Sequence, residues 1–313
     1  MRDKRVVVTG GAGFIGSNIA WSLCDDNDVV VIDNLSTGKI DNIKRLVASK
    51  KIEFVKGSIT DLALMKKTLK GTDYVLHQAA IASVPRSVKD PLATNEAGIT
   101  GTLTTLVASR DAGVKKVVFA SSSSVYGDTP TLPKHEGMPL SPLSPYALTK
   151  ATSEGYCRLF EELYGLGTVS LRYFNVYGPR QDPTSEYAAV IPKFITSALK
   201  GKPMVIFGDG KQTRDFTYIQ DAVTANVLAA QSKAIGNYNI AAGSRITINE
   251  LASTVIGITK SRSKVRHEPP RRGDIKHSLA DISLAKKAFG YSPQYSLRQG
   301  LAETVGWFAK GDR

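Results

Sequence analysis

Short apolar runs and longer apolar stripes alternate along the first half of the chain. Residues Arg5–Thr9, Asp28–Asp33, 52–55, 74–80 and 116–120 are rich in β-branched and aromatic side chains and read as strands. Between them, apolar residues recur at helical spacing. Ile19, Trp21 and Leu23 follow the first run, and Ile99, Leu103, Leu106 and Val107 form a stripe in a segment from about residue 95 to 111. Five strands alternating with helices predict a right-handed, parallel, doubly wound α/β sheet. A sixth run, from Val169 through Tyr173, leads out of it. Beyond that point the alternation weakens. Segments 188–199, 204–207, 246–251 and 283–289 predict a smaller C-terminal α/β domain. The expected division is 1–172 and 173–313, with 212–232 returning to the first domain.

The first run turns at once into Gly10–Gly11–Ala12–Gly13–Phe14–Ile15–Gly16, and a helix follows. Glycines between a strand and a helix are what a dinucleotide-binding Rossmann domain needs. Gly10 and Gly11 permit the tight turn, Gly13 admits the pyrophosphate, and Gly16 lets helix and strand pack closely. The helix N-terminus then faces the phosphates. Asp33 closes the second strand 17 residues past Gly16, where a carboxylate would bind the adenosine ribose. No Arg follows it among Asn34, Leu35, Ser36, Thr37 and Gly38, so NAD is expected rather than NADP. The third strand ends at Gly57–Ser58–Ile59, beside the expected adenine site. The fourth ends in Gln78–Ala79–Ala80, small enough for a cofactor backbone to pass. His77, just before them, reads as a packed strand residue.

Two further stretches carry candidate chemistry. The fifth strand runs into Ser121–Ser122–Ser123–Ser124, four hydroxyls expected to point into the crevice at the carboxyl end of the sheet. After a Pro-rich loop come Tyr146 and Lys150, four residues apart on one helix face, with Ser144 as cap and Pro145 in the first turn. A phenol titrates near pH ~10. A cation beside it would favour the phenolate and lower that value.

Composition removes alternatives. The chain has 313 residues, 42% hydrophobic and 22% charged, with a net charge of +13. Lys and Arg are scattered apart from a denser stretch from Lys260 to Lys276. That stretch has no interleaved aromatics, so no nucleic-acid partner is expected. No apolar run approaches the ~18 residues that span a bilayer. The first strand begins at residue 5, which leaves no room for a signal peptide. Cys24 and Cys157 read as buried, reduced thiols, and a cytoplasmic location fits. No metal is assigned.

The ordered set of the glycine loop, Asp33–Asn34, the serine turn, Tyr146 with Lys150, Arg172–Tyr173–Phe174–Asn175–Val176–Tyr177–Gly178–Pro179 and Gly208–Asp209–Gly210 with Arg214–Asp215 covers most of the chain. It resembles the extended short-chain dehydrogenase/reductase family, and within it the nucleotide-sugar 4-epimerases. The resemblance implies Tyr146 as acid/base, Lys150 as its electrostatic partner and Ser122 as the catalytic hydroxyl. It places NAD against Gly10, Gly13, Phe14, Ile15, Gly16, Asp33, Asn34, Ser36, Thr37, Gly38, Ser58, Ile59, Gln78, Ala79, Ala80, Asn95, Tyr146, Lys150 and Tyr173. A UDP-sugar would meet Ser83, Ser122, Ser123, Tyr146, Asn175, Ala189, Val190, Lys193, Val205, Phe207, Arg214, Arg271, Asp274 and Ser278. Ser123 and Ser124 stand where sugar-nucleotide dehydratases carry Asp–Glu, and Ser124 where decarboxylases usually carry Glu. Ser278 stands where epimerases restricted to plain hexoses place Tyr, which leaves room for a 2-acetamido group. UDP-GlcNAc/UDP-GalNAc and UDP-Glc/UDP-Gal are the implied substrates. A UDP-hexuronic acid 4-epimerase and a catalytically silent NAD-binding member are the alternatives. A homodimer is also implied, joined through helices 98–112 and 146–163. Leu103, Leu106, Phe160 and Leu163 fit such a contact or, equally, a core face.

Overall fold

The structure is a computed structural model that describes residues 1–184, 189–270 and 275–311. In chain order the first half comprises β1 (Arg5–Thr9), α1 (Phe14–Leu23), β2 (Asp28–Asp33), α2 (Lys44–Ala48), β3 (Ile52–Lys56), α3 (Leu62–Thr68), β4 (Tyr74–His77), α4 (Val84–Lys89), α5 (Pro91–Asn95), α6 (Gly101–Asp111), β5 (Lys116–Ser122), α7 (Pro145–Tyr164) and β6 (Gly167–Tyr173). The second half adds β7 (Val176–Tyr177), α8 (Val190–Leu199), β8 (Met204–Phe207), β9 (Thr213–Arg214), β10 (Thr217–Tyr218), α9 (Ile219–Gln231), β11 (Gly236–Ile240), β12 (Ile246–Thr247), α10 (Ile248–Thr259), β13 (Val265–Glu268), α11 (Ser283–Phe289) and α12 (Leu297–Ala309).

Seven parallel strands form the main sheet in the order β11-β6-β5-β4-β1-β2-β3. Strand order reverses between β1 and β4, and that switch point is where such sheets open a ligand crevice. Both faces are covered. Val6 and Val8 join one apolar cluster while Val7 joins the other, so the first strand is apolar throughout rather than alternating.

The predicted strands of the first half are present, with shifted ends. β4 stops at His77, and β5 continues through Ser122. The helix expected from about residue 95 begins earlier, at Pro91, and passes through a π-helical turn at Glu96–Thr100 before α6. β11 lies beyond the expected return segment. It pairs with β6 along Gly236–Ile240 and extends the sheet at that edge. Leu106 and Phe160 are not available to a second protomer, because both pack in the chain's own core. Leu163 is 66% exposed.

α7 holds the Tyr–Lys pair. Ser144 caps it by accepting the Ala147 N–H at 3.1 Å, Pro145 opens its first turn, and Gly165 closes it at φ +68°. Its inner face is fastened to the sheet by charge. Glu154 receives two bonds from Arg172 at the end of β6, from Nε at 2.9 Å and Nη2 at 2.7 Å, and one from the Ser121 hydroxyl. Arg172 Nη1 also donates to the Tyr126 hydroxyl at 2.8 Å, and Tyr126 donates to Asn239 of β11 at 2.7 Å. Burial alone would pull the guanidinium down, but Glu154 more than offsets it and the net shift is upward. Both side chains of the pair are only 3% exposed.

Removing one member of such a pair strands the other charge. Glu154→Ala should therefore cost about 3–5 kcal/mol, read by urea unfolding, whereas a Glu154→Leu/Arg172→Met double variant should recover much of the loss.

Candidate active site

The glycine loop fits a dinucleotide at three points. Gly10 sits at φ +66°, and a Cβ there would lie 2.7 Å from the Ala79 backbone. A Cβ on Gly16 would lie 2.4 Å from the Gly10 carbonyl oxygen, so α1 can approach β1 this closely only as glycine. Gly13, the N-cap of α1, would meet only that same carbonyl, at 3.1 Å, which leaves its outer side open to a pyrophosphate. Phe14 and Ile15 form the first helical turn.

Asp33 ends β2 and is buried. Its carboxylate accepts the Ala12 N–H at 3.0 Å and the Leu35 N–H at 2.7 Å. Gly38 lies against it: a Cβ there would be 2.8 Å from the carboxylate. Burial raises the Asp33 pKa, and the two N–H bonds oppose the rise. Its remaining lone pairs can take ribose hydroxyls. The nearest following cation, Lys39, is paired with Asp182 at 2.9 Å. Asn34, Ser36 and Thr37 form the turn between Asp33 and Gly38, with the Ser36 N–H bound to Asn34 at 3.0 Å. A 2′-phosphate would meet the Asp33 carboxylate, so the residues present fit NAD.

The remaining cofactor candidates divide. Ser58 bonds Thr60, while the Ile59 side chain belongs to the core, so Ile59 can offer a ligand only its backbone. Gln78, Ala79 and Ala80 follow β4 at the crevice, half-buried. Asn95 ends α5 on an exposed surface. His77 is buried between Thr9 (2.7 Å) and Thr102 (3.0 Å), and burial holds its pKa at about 3. It is a neutral packed residue.

Strand alternation sorts the serines. Ser122 pairs in register with Tyr173, and Ser121 with Arg172. Ser121 is therefore not a crevice hydroxyl: it turns to the other face and bonds Glu154. Ser122 accepts from the Ser124 N–H at 3.2 Å and the Ser124 hydroxyl at 2.9 Å, and it is hydrogen-bonded to Tyr146. Ser123 and Ser124 continue as a 3₁₀ turn.

The Tyr–Lys pair differs from the expectation in one respect. Lys150 is 3% exposed, and its Nζ donates to the Ala120 carbonyl at 2.6 Å, lying 5.8 Å from the Tyr146 ring centre. Burial raises the Tyr146 pKa, with the Ser122 bond acting the other way. Desolvation thus outweighs the Ser122 bond, the expected lowering by Lys150 is not what sets the balance, and the ligand-free phenol is protonated at neutral pH. Lys150 itself is pulled down to about 8 by burial, with the Glu154 carboxylate acting the other way. Cys24 and Cys157 are buried free thiols, and burial pushes Cys157 up to about 12.

Three of the substrate candidates, Asn175, Arg214 and Ser278, meet around β9. Asn175, at φ +36°, donates to the Asp215 carbonyl at 2.8 Å. Arg214 donates to the carbonyls of Thr213 (3.0 Å) and Lys276 (3.4 Å). The buried Ser278 donates its N–H to the Thr213 carbonyl at 3.1 Å. Val205 and Phe207 are the half-buried positions of β8, alternating with buried Met204 and Ile206. Ala189 caps α8, on which Val190 and Lys193 lie. Ser83 caps α4 by accepting the Arg86 N–H at 3.3 Å. Arg271 and Asp274 lie outside the described residues.

Sequence reasoning missed Glu154, Asn239 and Asn226. Glu154 had a signal, since it lies four residues past Lys150 on the same helix face. It also missed how Asp215 works. The fully buried carboxylate accepts the N–H groups of Ala242 (3.0 Å) and Ala280 (3.2 Å), which ties β11 and the Ser278 segment to Arg214's strand.

The fold is that of a Rossmann enzyme, and Ser122, Tyr146 and Lys150 stand together at the carboxyl end of its sheet. The chain belongs to the NAD-dependent epimerase/dehydratase family, whose model matches residues 6–241, and NAD is its cofactor. It is 39% identical over 308 residues to the UDP-glucose 4-epimerase of Mycolicibacterium smegmatis, covering 97% of this chain and 98% of that one. Among solved structures it is similar to a UDP-N-acetylglucosamine 4-epimerase from Methanobrevibacter ruminantium in complex with UDP-N-acetylmuramic acid. The TM-score is 0.96 at 47% identity, covering 99% of both chains. It is also similar to a UDP-glucuronic acid 4-epimerase from Bacillus cereus, in complex with UDP-glucuronic acid and NAD. There the TM-score is 0.89 at 33% identity, covering 98% of this chain and 99% of the other. Among the described residues no helix is long and apolar enough to cross a membrane.

The buried lysine gives a pH prediction for the NAD-free protein. Its folded pKa, about 8, lies below the 10.5 of an unfolded lysine. Between those values the unfolded chain holds the extra proton, so this residue's contribution to stability rises with pH. Relative to Lys150→Met, the wild type should gain up to about 3 kcal/mol between pH 8 and 10.5, measured by denaturant unfolding.

Proposed function

We propose that the protein is an isomerase, a UDP-sugar 4-epimerase that interconverts UDP-GlcNAc and UDP-GalNAc and also accepts UDP-Glc and UDP-Gal. The observation that carries the reading is the Ser122–Tyr146–Lys150 centre with Ser123 and Ser124 beside it. Ser124 spends its hydroxyl on Ser122, and no carboxylic acid stands next in sequence to eliminate water or assist loss of CO₂.

NAD, when bound, supplies a two-electron oxidation at the sugar C4 and returns the same electrons. The chain's part is positioning and proton handling. Tyr146 must first lose its own proton in the loaded site; as phenolate it takes the proton of the 4-hydroxyl and later restores it, with Ser122 as its hydrogen-bonding neighbour. Lys150, tied to the Ala120 carbonyl, fixes the cationic edge of the site. Asn175 and Arg214, with Arg271, hold the diphosphate while the 4-keto sugar turns over. Residues 1–172, with the return segment, form the cofactor unit in this reading, and the rest of the chain forms the UDP-sugar unit.

Ser278 sets substrate width. It is buried, and its N–H is fixed to Thr213, one residue from Arg214. A serine there leaves volume for an acetamido group that a tyrosine would fill. A homodimer fits the exposed apolar residues on the neighbouring helices: Val88 and Leu92 of α4 and α5, and Leu159 and Leu163 of α7.

Incubating the purified protein with UDP-GlcNAc, with no NAD added, should yield UDP-GalNAc. Turnover of UDP-glucuronic acid in its place would instead favour a uronic-acid 4-epimerase, and no turnover of any UDP-sugar would favour a silent NAD-binding protein. Tyr146→Phe should lose at least the ~10²–10⁴-fold typical of general acid–base catalysis while still folding. Ser278→Tyr should lose UDP-GlcNAc turnover and keep UDP-Glc turnover. Unchanged use of both would remove Ser278 as the gate.

A further inference from the structure

Behind the crevice lies a hydrogen-bonded set that joins three elements. Asn226 of α9 is fully buried. Its Nδ2 donates to the Tyr173 hydroxyl at 2.7 Å and to the Ala222 carbonyl at 2.8 Å. Its Oδ1 accepts from Gln78 Nε2 at 3.0 Å. Tyr173 ends β6 beside Ser122, and Gln78 follows the last residue of β4.

Donor accounting fixes the direction of every bond in this set. The Ala222 carbonyl can only accept, so the Asn226 atom facing it must be Nδ2. That places Oδ1 toward Gln78, and the Gln78 atom meeting it must be Nε2 in turn. Gln78 Oε1 is buried without a hydrogen-bond partner among the described residues, so the orientation is kept at a cost. The Tyr173 hydroxyl oxygen is then an acceptor toward Asn226, and its own proton cannot go there. Gln78 also meets this hydroxyl, and its Nε2 too can only donate, so the tyrosine proton is left for an acceptor outside the set.

We propose that Asn226 is a positioning residue for the cofactor end of the active site. Through the Ala222 carbonyl it fixes Tyr173 as an outward hydrogen-bond donor, matched to an acceptor oxygen of bound NAD. This rests on the reading that Tyr173 contacts the cofactor, but not on the identity of the sugar. Asn226→Asp tests it by nearly isosteric exchange. An oxygen in place of Nδ2 accepts the Tyr173 proton and turns the hydroxyl inward, away from the ligand, at the cost of facing the Ala222 carbonyl.

The measurement is the NAD dissociation constant of protein stripped of nucleotide, obtained by titration without any sugar. The set comprises wild type, Asn226→Asp, Tyr173→Phe and the double variant, with Asn226→Ala replacing Asn226→Asp if that variant does not fold. Each single variant should weaken NAD binding by about tenfold, the effect of one lost hydrogen bond. The double variant should be no weaker than either single, because both remove the same donor. Multiplying losses would show that Asn226 acts independently of Tyr173 and would overturn the proposal. So would wild-type affinity in Asn226→Asp. Loss of epimerase activity with an intact NAD cycle would instead count against the proposed reaction alone.

Discussion

The ion pair between Glu154 and Arg172 is the constraint on which the candidate active site depends. It is closed to solvent and bidentate, and it sits between α7 and the end of β6. Its side bonds reach Ser121, at the end of β5, and Tyr126, which closes the serine turn and bonds Asn239. One carboxylate therefore fixes the helix that carries Tyr146 and Lys150 relative to the strand that carries Ser122. A buried pair of this kind adds little net stability over a well-packed apolar contact. What it supplies is direction. A guanidinium fork and a carboxylate meet in few geometries, and catalytic groups lose rate steeply when displaced.

The pleat of the sheet does the next part. Adjacent residues of β5 face opposite sides, so Ser121 serves the ion pair while Ser122 serves Tyr146. On the Ser122 side the Gln78–Asn226–Tyr173 set backs the crevice, and on the other side Glu154 and Arg172 do. The site is wedged between two hydrogen-bonded polar layers, one of which keeps Gln78 Oε1 unpartnered among the described residues, and these layers order hydroxyls and an ammonium at the rim of an apolar sheet. Burial also explains why the free phenol is protonated. The same exclusion of water that sharpens the site penalises a phenolate until charge near it changes.

Much of this was legible in the sequence where the demands are local. The strand–glycine–helix start, Asp33 and the capped Tyr146 helix each follow from backbone requirements within a few residues. β11 was not legible, because Gly236–Ile240 has no strong pattern of its own and its place is set by pairing with β6. Ser121 was misplaced because the strand's period of two runs two residues further than its apolar pattern. Leu106 and Phe160 lie on apolar stripes that a core and an interface share, and only packing separates the two. Asn226 carries no local signal, since its partners lie 148 and 53 residues away.

The central claim is that one carbon is oxidised and reduced again without net change, its hydrogen never leaving the site. UDP-GlcNAc carrying deuterium at C4, incubated with the protein in ordinary water, tests this directly. Mass spectrometry of the UDP-GalNAc formed should find the deuterium retained at C4. Its replacement by hydrogen from solvent would contradict the mechanism.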